Sequence, residues 1–273
     1  MEKSIKRVLF VNSEMIPYLE PSEVASTTKT LAQGIQENKT EIRSFMPRYG
    51  LINERKNQLH EVIRLSGMNI VIGDVDRPLI IKVASLPAAR MQVYFIDNED
   101  YFRRKALYND AKGAFFKDNG ERAIFFARGV LETVKKLRWS PDIVHCSGWM
   151  AQVLPLYLKK AYKDDPIFTD SKVVLSLFSD TPAESFGEKF AEDLLSQGIC
   201  AEDISALGGQ PDGTHLAHLA LAYSDGVVLN SPDVPAELAQ YSRGLGIPVL
   251  EYESKMENGG DAERYAAFYE TLK

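Results

Sequence analysis

Cysteine is nearly missing from this chain: Cys146 and Cys200 are the two among 273 residues. A disulfide framework is thereby excluded, and a reducing compartment is the expectation. Positive charge is also short. Lys and Arg number 32 against 38 Asp and Glu, a net charge of −6. That excludes a general binder of nucleic acid or anionic membrane, which needs a positive field. No apolar run approaches the roughly 20 residues that span a bilayer. The opening Met-Glu-Lys-Ser-Ile-Lys-Arg lacks the apolar core and small-residue cleavage site of a signal peptide. Repeats, low-complexity segments and linker-like stretches are absent as well. The reading is one cytoplasmic domain over 1–273 with no membrane partner. Among motifs, Gly-x-Ser-x-Gly, Cys-x-x-Cys, the Walker loop and the dinucleotide fingerprint do not occur.

What is present is ordinary globular usage, 45% apolar and 26% charged, arranged as strands alternating with helices. Val8 to Val11 is a short β-rich run. Ser22 caps a helix carrying Val24, Thr28, Leu31 and Ile35 on one face. Ile42 to Met46 is a second strand. Residues 60–97 differ. Val62-Ile63, Asn69 to Ile72, Leu79 to Val83 and Gln92 to Ile96 are β runs separated by Gly73-Asp74 and Pro87, a meander with no helix inside it. Alternation then returns. Asp118 and Glu121 form a reciprocal cap signal for a helix with Ile124, Ala127, Leu131 and Val134 in line. Asp142 to His145 is a strand, Met150 to Ala161 an amphipathic helix, Lys172 to Leu177 a strand and Phe186 to Leu195 a helix. Leu216 to Tyr223 is a helix, Gly226 to Leu229 a strand, Pro232 the start of a short helix, Pro248 to Glu251 a strand and Ala262 to Leu272 a final helix. This order predicts an α/β fold, a Rossmann-like doubly wound, mostly parallel sheet with an inserted β-meander. Ligands on such a sheet sit beyond the carboxyl ends of the strands, here Asn12 to Tyr18, His145 to Trp149, Leu177 to Thr181 and Asn230 to Pro232.

The loop from Ser13 to Ser22 has no glycine, two glutamates (Glu14 and Glu20) and two prolines. A phosphate cradle needs glycines so that backbone N–H groups reach the anion, and two carboxylates would repel a diphosphate. Asp97-Asn98 with Tyr101-Phe102 closes the meander. It combines hydroxyl partners with a ring to stack on, which suits a sugar, and it is equally a turn rich in turn formers. In His145-Cys-Ser-Gly-Trp149, His145 reads as a core histidine or as a site group, and Ser147 as a cap or as a site group. Cys146 has no adjacent base and reads as a small buried hydrophobe. His215 and His218 lie three apart on a helix, but no third strong ligand stands at a metal-site interval. No metal or cofactor is implied, and no catalytic residue is assigned.

These residues carry a resemblance. Arg7-Val-Leu-Phe-Val-Asn-Ser-Glu-Met-Ile-Pro17, Phe45-Met-Pro-Arg-Tyr-Gly50, Val93-Tyr-Phe-Ile-Asp-Asn98 with Tyr101-Phe102, Asp118-Asn119 with Glu121-Arg122, Asp142 through Trp149 to Tyr157, and Tyr223-Ser-Asp with Ser231-Pro232 resemble, in order and spacing, the N-terminal catalytic domain of bacterial glycogen synthases and plant starch synthases. The chain looks most like the short single-domain members of Bacteroidetes-type bacteria. The resemblance implies the N-terminal half of a GT-B glycosyltransferase, transferring glucose from ADP-glucose to an α-1,4-glucan. It implies Asp97, Asn98, Tyr101, His145, Ser147 and Trp149 as glucan- or acceptor-binding candidates, and α-glucan or maltooligosaccharide as partner.

Departures accompany it. The family's Lys-x-Gly-Gly-Leu donor loop is replaced by Glu20-Pro-Ser-Glu-Val24, so Glu14, Tyr18 and Glu20 mark a degenerate donor loop. In the family's His-x-His-Asp-Trp-His, Ser147, Gly148 and Met150 stand for the second His, the Asp and the third His. Ile-His-Asn becomes Leu177-Phe178-Ser179. The sequence also ends where the resemblance places a second domain that grips the diphosphate. Three readings follow: a glucosyltransferase completed by a second protein, a non-catalytic glucan-binding or regulatory homologue, or an assembly partner of glycogen metabolism.

Overall fold

A computed structural model describes residues 5–86, 89–254 and 260–273. Among these residues ten strands form the sheet: β1 (Arg7–Asn12), β2 (Glu41–Pro47), β3 (His60–Glu61), β4 (Met68–Ile72), β5 (Val75–Leu86), β6 (Met91–Asp97), β7 (Ile143–Ser147), β8 (Lys172–Leu177), β9 (Gly226–Leu229) and β10 (Val249–Leu250). Their spatial order is β10-β9-β8-β7-β1-β2-β6-β5-β3, with β4 paired to β5 alone. From β10 to β6 every pairing is parallel, while β3, β4, β5 and β6 pair antiparallel. The expected doubly wound sheet with an inserted meander is therefore present. Its central strands are continuous apolar runs because both faces are covered.

Eight helices accompany it among the described residues: α1 (Glu23–Glu37), α2 (Glu99–Phe102), α3 (Asn119–Leu137), α4 (Leu154–Lys160), α5 (Lys189–Leu194), α6 (Gly213–Ala222), α7 (Ala236–Gly244) and α8 (Gly260–Glu270). Register places Phe10 beside His145 and Val174 on one face. There α8 lays Tyr269 against His145, Leu272 just beyond it lies against Gly226, and α1 packs beside α8. Ile96 lies on the opposite face, under α3, and α4 packs on α3. The Ser22 hydroxyl accepts from the Ala25 N–H at 2.9 Å and starts α1 as its sequence demands. Among the described residues no helix is long and apolar enough to cross a membrane.

Several element ends differ from the sequence reading, each for a local reason. Asp118 precedes α3 but makes no cap bond, because its carboxylate is held by both Arg104 nitrogens at 2.9 and 2.6 Å. The stretch from Met150 opens as a short 3₁₀ turn, Trp149–Ala151, and α4 begins only at Leu154. Pro155 has no N–H to donate and must sit in a first turn. Helix α5 starts at Lys189 rather than Phe186, whose ring joins an aromatic cluster with Trp149 and Phe190. Helix α7 starts at Ala236, since the Ser231 hydroxyl accepts from the Asp233 N–H and holds a turn there. The first meander run pairs at His60–Glu61, not Val62-Ile63. The separator Pro87 and residues 1–4 lie outside the described residues.

Candidate functional site

Strand order reverses at β1: the chain moves to β2 on one side and later to β7 on the other. Open α/β sheets offer a crevice at such a point. The two strand ends are stitched together. Ser13 N–H donates to the Ser147 carbonyl at 2.8 Å, and Met150 N–H donates to the Ser13 hydroxyl oxygen at 3.0 Å. Between them Gly148 has φ +81°, and a Cβ there would stand 2.5 Å from Ser13 Oγ and 3.1 Å from Asp180 Oδ2. Asp180, just beyond β8, accepts the Trp149 N–H at 2.9 Å.

Around this point the polar groups form a chain. Tyr49 OH donates to the Ser13 carbonyl and lies 3.3 Å from Tyr108 OH. Tyr108 OH donates to Glu14 Oε1 at 3.0 Å, and Ser22 OH donates to Glu14 Oε2 at 2.6 Å. Ser179 OH donates to Glu23 at 3.1 Å. The polar groups gathered at this strand end are thus hydroxyls and three carboxylates. Burial, with Glu14 and Glu23 nearby, pushes Asp180 up to about 6, against the lowering effect of the Trp149 N–H. Sequence reasoning named Glu14 but missed Asp180, Glu23, Ser13, Tyr49 and Tyr108. Asp180 lies inside the strand-end segment 177–181, and that position is its one local signal.

The other candidates are brought together only in part. Trp149 is buried, with Tyr108, Phe186 and Phe115 rings at 4.8, 5.6 and 5.8 Å. Ser147 is buried one residue before Gly148. Asp97 lies at the end of β6, its Oδ2 2.9 Å from Arg48 Nε and 3.1 Å from Lys82 Nζ. Asn98 caps α2, accepting from the Asp100 and Tyr101 N–H groups and donating to the Pro78 carbonyl. Tyr101 is buried, its hydroxyl donating to Glu121 at 2.7 Å and its ring 4.9 Å from the Arg77 guanidinium. Tyr18 is buried edge-on against Phe95 at 4.8 Å, and Glu20 is exposed. His215 closes a capping box with Asp212, and His218 lies 4.5 Å from the Tyr241 ring. Among the described residues no group of three or more His, Cys, Asp or Glu could hold a metal.

His145 is fully buried, with Nδ1 2.6 Å from Tyr269 OH and Nε2 2.5 Å from Ser176 Oγ. Burial pushes its pKa down to about 3. Its share of stability is present at neutral pH and falls away as pH drops below its ordinary 6.5, since the unfolded chain takes the proton first. Asp180 has the opposite sign. Raised in the fold, it contributes below its ordinary 3.8, and that contribution is lost as pH rises through about 6. Asp180→Asn keeps an acceptor for Trp149. The variant is therefore expected to gain on wild type by roughly 1–3 kcal/mol between pH 4 and 7. Urea denaturation across that range measures the gap; a gap that stays constant contradicts the assignment.

The family described as starch synthase catalytic domain matches residues 7–250. The glycogen synthase of Chlorobium limicola is 36% identical over 270 residues, 95% of this chain and 54% of that protein. The glycogen synthase of Chlorobium luteolum is 40% identical over 200 residues, 73% of this chain and 41% of that protein. This chain spans about half the length of such relatives. Among solved structures, the catalytic domain of starch synthase IV from Arabidopsis thaliana, bound to ADP and acarbose, superposes with a TM-score of 0.66 at 16% identity. That likeness covers 83% of this chain and 45% of the plant chain, and concerns the fold.

Proposed function

We propose that this chain, which belongs to the starch synthase catalytic domain family, takes an α-glucan as its ligand and does not by itself hold the diphosphate of a sugar nucleotide. One observation carries the second half: at the β1/β7 crevice an internal carboxylate already stands where an anionic ligand would bind. Backbone N–H groups at a chain turn are the natural partners of a phosphate. Here the Trp149 N–H is taken by Asp180 and the Met150 N–H by the Ser13 hydroxyl. The charges that act most strongly on Asp180 are Glu14 and Glu23, both negative. A departing diphosphate needs cations or aimed donors, and each one missing costs roughly 100–1,000-fold in rate. The 13–22 loop, without glycine, supplies neither.

The glucan half rests on family membership and on the lining. Tyr108, Ser22 and Glu14 are hydroxyl and carboxylate groups now paired with one another; a neutral polyol can exchange with such pairs, whereas a dianion meets the Glu14 charge. Calorimetry on the purified protein tests both halves. ADP-glucose is expected to give no heat and maltoheptaose a saturable one. Heat from ADP-glucose sinks the first half; silence from maltoheptaose sinks the second. A transferase reading is favoured by the glycogen synthase relatives, with a second protein completing the cleft. Transfer of radiolabelled glucose to glycogen in cell lysate, present with the protein and lost without it, would establish that reading instead.

A further inference from the structure

A cavity of about 330 Å³ lies away from the crevice, between α1, α8, the end of β9 and residues 252–253. That volume falls within the range of small-molecule sites. Its floor is apolar, formed by Leu31, Val228, Leu229 and Ala262. Its walls are hydrogen-bonding groups, several of them already oriented. Asn230 accepts from Tyr265 OH and donates to Ser176 Oγ at 2.8 Å. Its carboxamide is fixed in one orientation, with one N–H and one lone pair to spare. Thr30 donates to the Ser26 carbonyl, which leaves its hydroxyl oxygen as an acceptor. Gln33 is held by Glu37 at 2.9 Å.

Charge argues against an anion. Lys29 and Arg264 line the cavity with Glu37, Glu253 and Asp261. Arg264 is engaged, 3.1 Å from Glu253 and bonded to the Glu251 carbonyl. The lining therefore has no cationic surplus for a phosphate or carboxylate. Tyr252, partly exposed, adds an aromatic edge. The wall also depends on a specific residue. Gly34 sits inside α1, where glycine costs about 0.5–1 kcal/mol relative to alanine. A Cβ there would stand 2.5 Å from the Ala262 Cβ. The glycine permits the close α1–α8 approach that bounds the space.

We infer that this cavity is a second saccharide site, taking a neutral hexose unit of an oligosaccharide through Asn230, Thr30 and Gln33, with its apolar face toward Leu31 and Leu229. The choice of a glucose-based ligand rests on the function proposed above; the cavity, its lack of a cationic surplus and its lining do not. An apolar floor ringed by paired donors and acceptors matches the two kinds of surface on a pyranose ring.

Hydrogen–deuterium exchange on the full chain, with saturating maltotriose, separates the two sites. Slower exchange in peptides covering 27–37 and 260–270 is the expected result, whether or not peptides at 145–152 respond. The latter report on the crevice when only fragments beginning at Ser147 are used, because His145 is bonded to Tyr269 of α8. Thr30→Trp, which places a large ring in the opening, is expected to abolish the α1–α8 protection and weaken maltotriose there at least about tenfold. If that variant melts well below wild type, Tyr252→Ala replaces it, with the same loss expected. The inference is overturned if α1 and α8 are unprotected in wild type, or if protection persists in the variant used. It is also overturned if AMP or inorganic phosphate protects these peptides and maltotriose does not.

Discussion

Gly148→Ala is expected to cost about 3–5 kcal/mol and to disorganise the crevice. Two effects combine. The backbone at Gly148 has φ 81° and ψ 159°, a region that residues with a Cβ scarcely enter. The added methyl would also stand 2.5 Å from Ser13 Oγ and 2.7 Å from Ser13 Cβ. Ser13 cannot yield freely, because its hydroxyl accepts the Met150 N–H and its N–H donates to the Ser147 carbonyl. Gly187→Ala separates the effects. Gly187 has φ +85° and nothing within 4 Å of a Cβ, so it carries backbone strain alone, about 1–2 kcal/mol. Chemical denaturation of both variants is the measurement. Equal losses would mean that crowding at the β1/β7 junction contributes nothing and that the junction is loose.

Asp97→Ala is expected to destabilise by about 3–5 kcal/mol, the usual result of removing one partner from a buried ion pair. Asp97 is buried at the end of β6 and faces two cations, Arg48 and Lys82, through one oxygen. Glu54 reaches the same cations, at 3.3 and 2.7 Å, but is more exposed. Without Asp97 two positive groups would share one screened carboxylate. Adding Lys82→Met should recover part of the loss, because it removes one of the stranded charges. The same variant decides the role of Asp97. A group that binds sugar would lose glucan affinity with little change in stability, whereas a group that closes β2 onto β6 would show the reverse. A loss under 1 kcal/mol in urea would rule out the structural role.

Much of the architecture was legible because it follows from local rules. Alternating strand and helix patterns led to a parallel sheet, and the break in alternation at 60–97 led to a meander. Ser22 announced α1 through capping chemistry that needs only neighbours three residues away. The candidate residues were harder to place. Asp97, Asn98 and Tyr101 have the composition of a sugar site, yet their side chains meet Arg48 and Lys82, the Pro78 carbonyl, and Glu121. Trp149 is an acceptor-binding candidate by resemblance, and the structure packs three aromatic rings from distant segments against it. Those partners lie 15 or more residues away, and periodicity reports which side of an element is apolar without saying what covers it.

From the sequence alone came the α/β order and a loop after β1, residues 13–22, that holds no glycine to cradle a phosphate. These depend on hydrogen-bonding period, turn chemistry and residue type. Only the tertiary structure decided that Asp180, 31 residues beyond Trp149, would take its N–H and set an acid beside Glu14 and Glu23. The physical reason is that strand pairing brings together ends whose side chains never meet along the chain, and the sign of the field there is a property of that meeting.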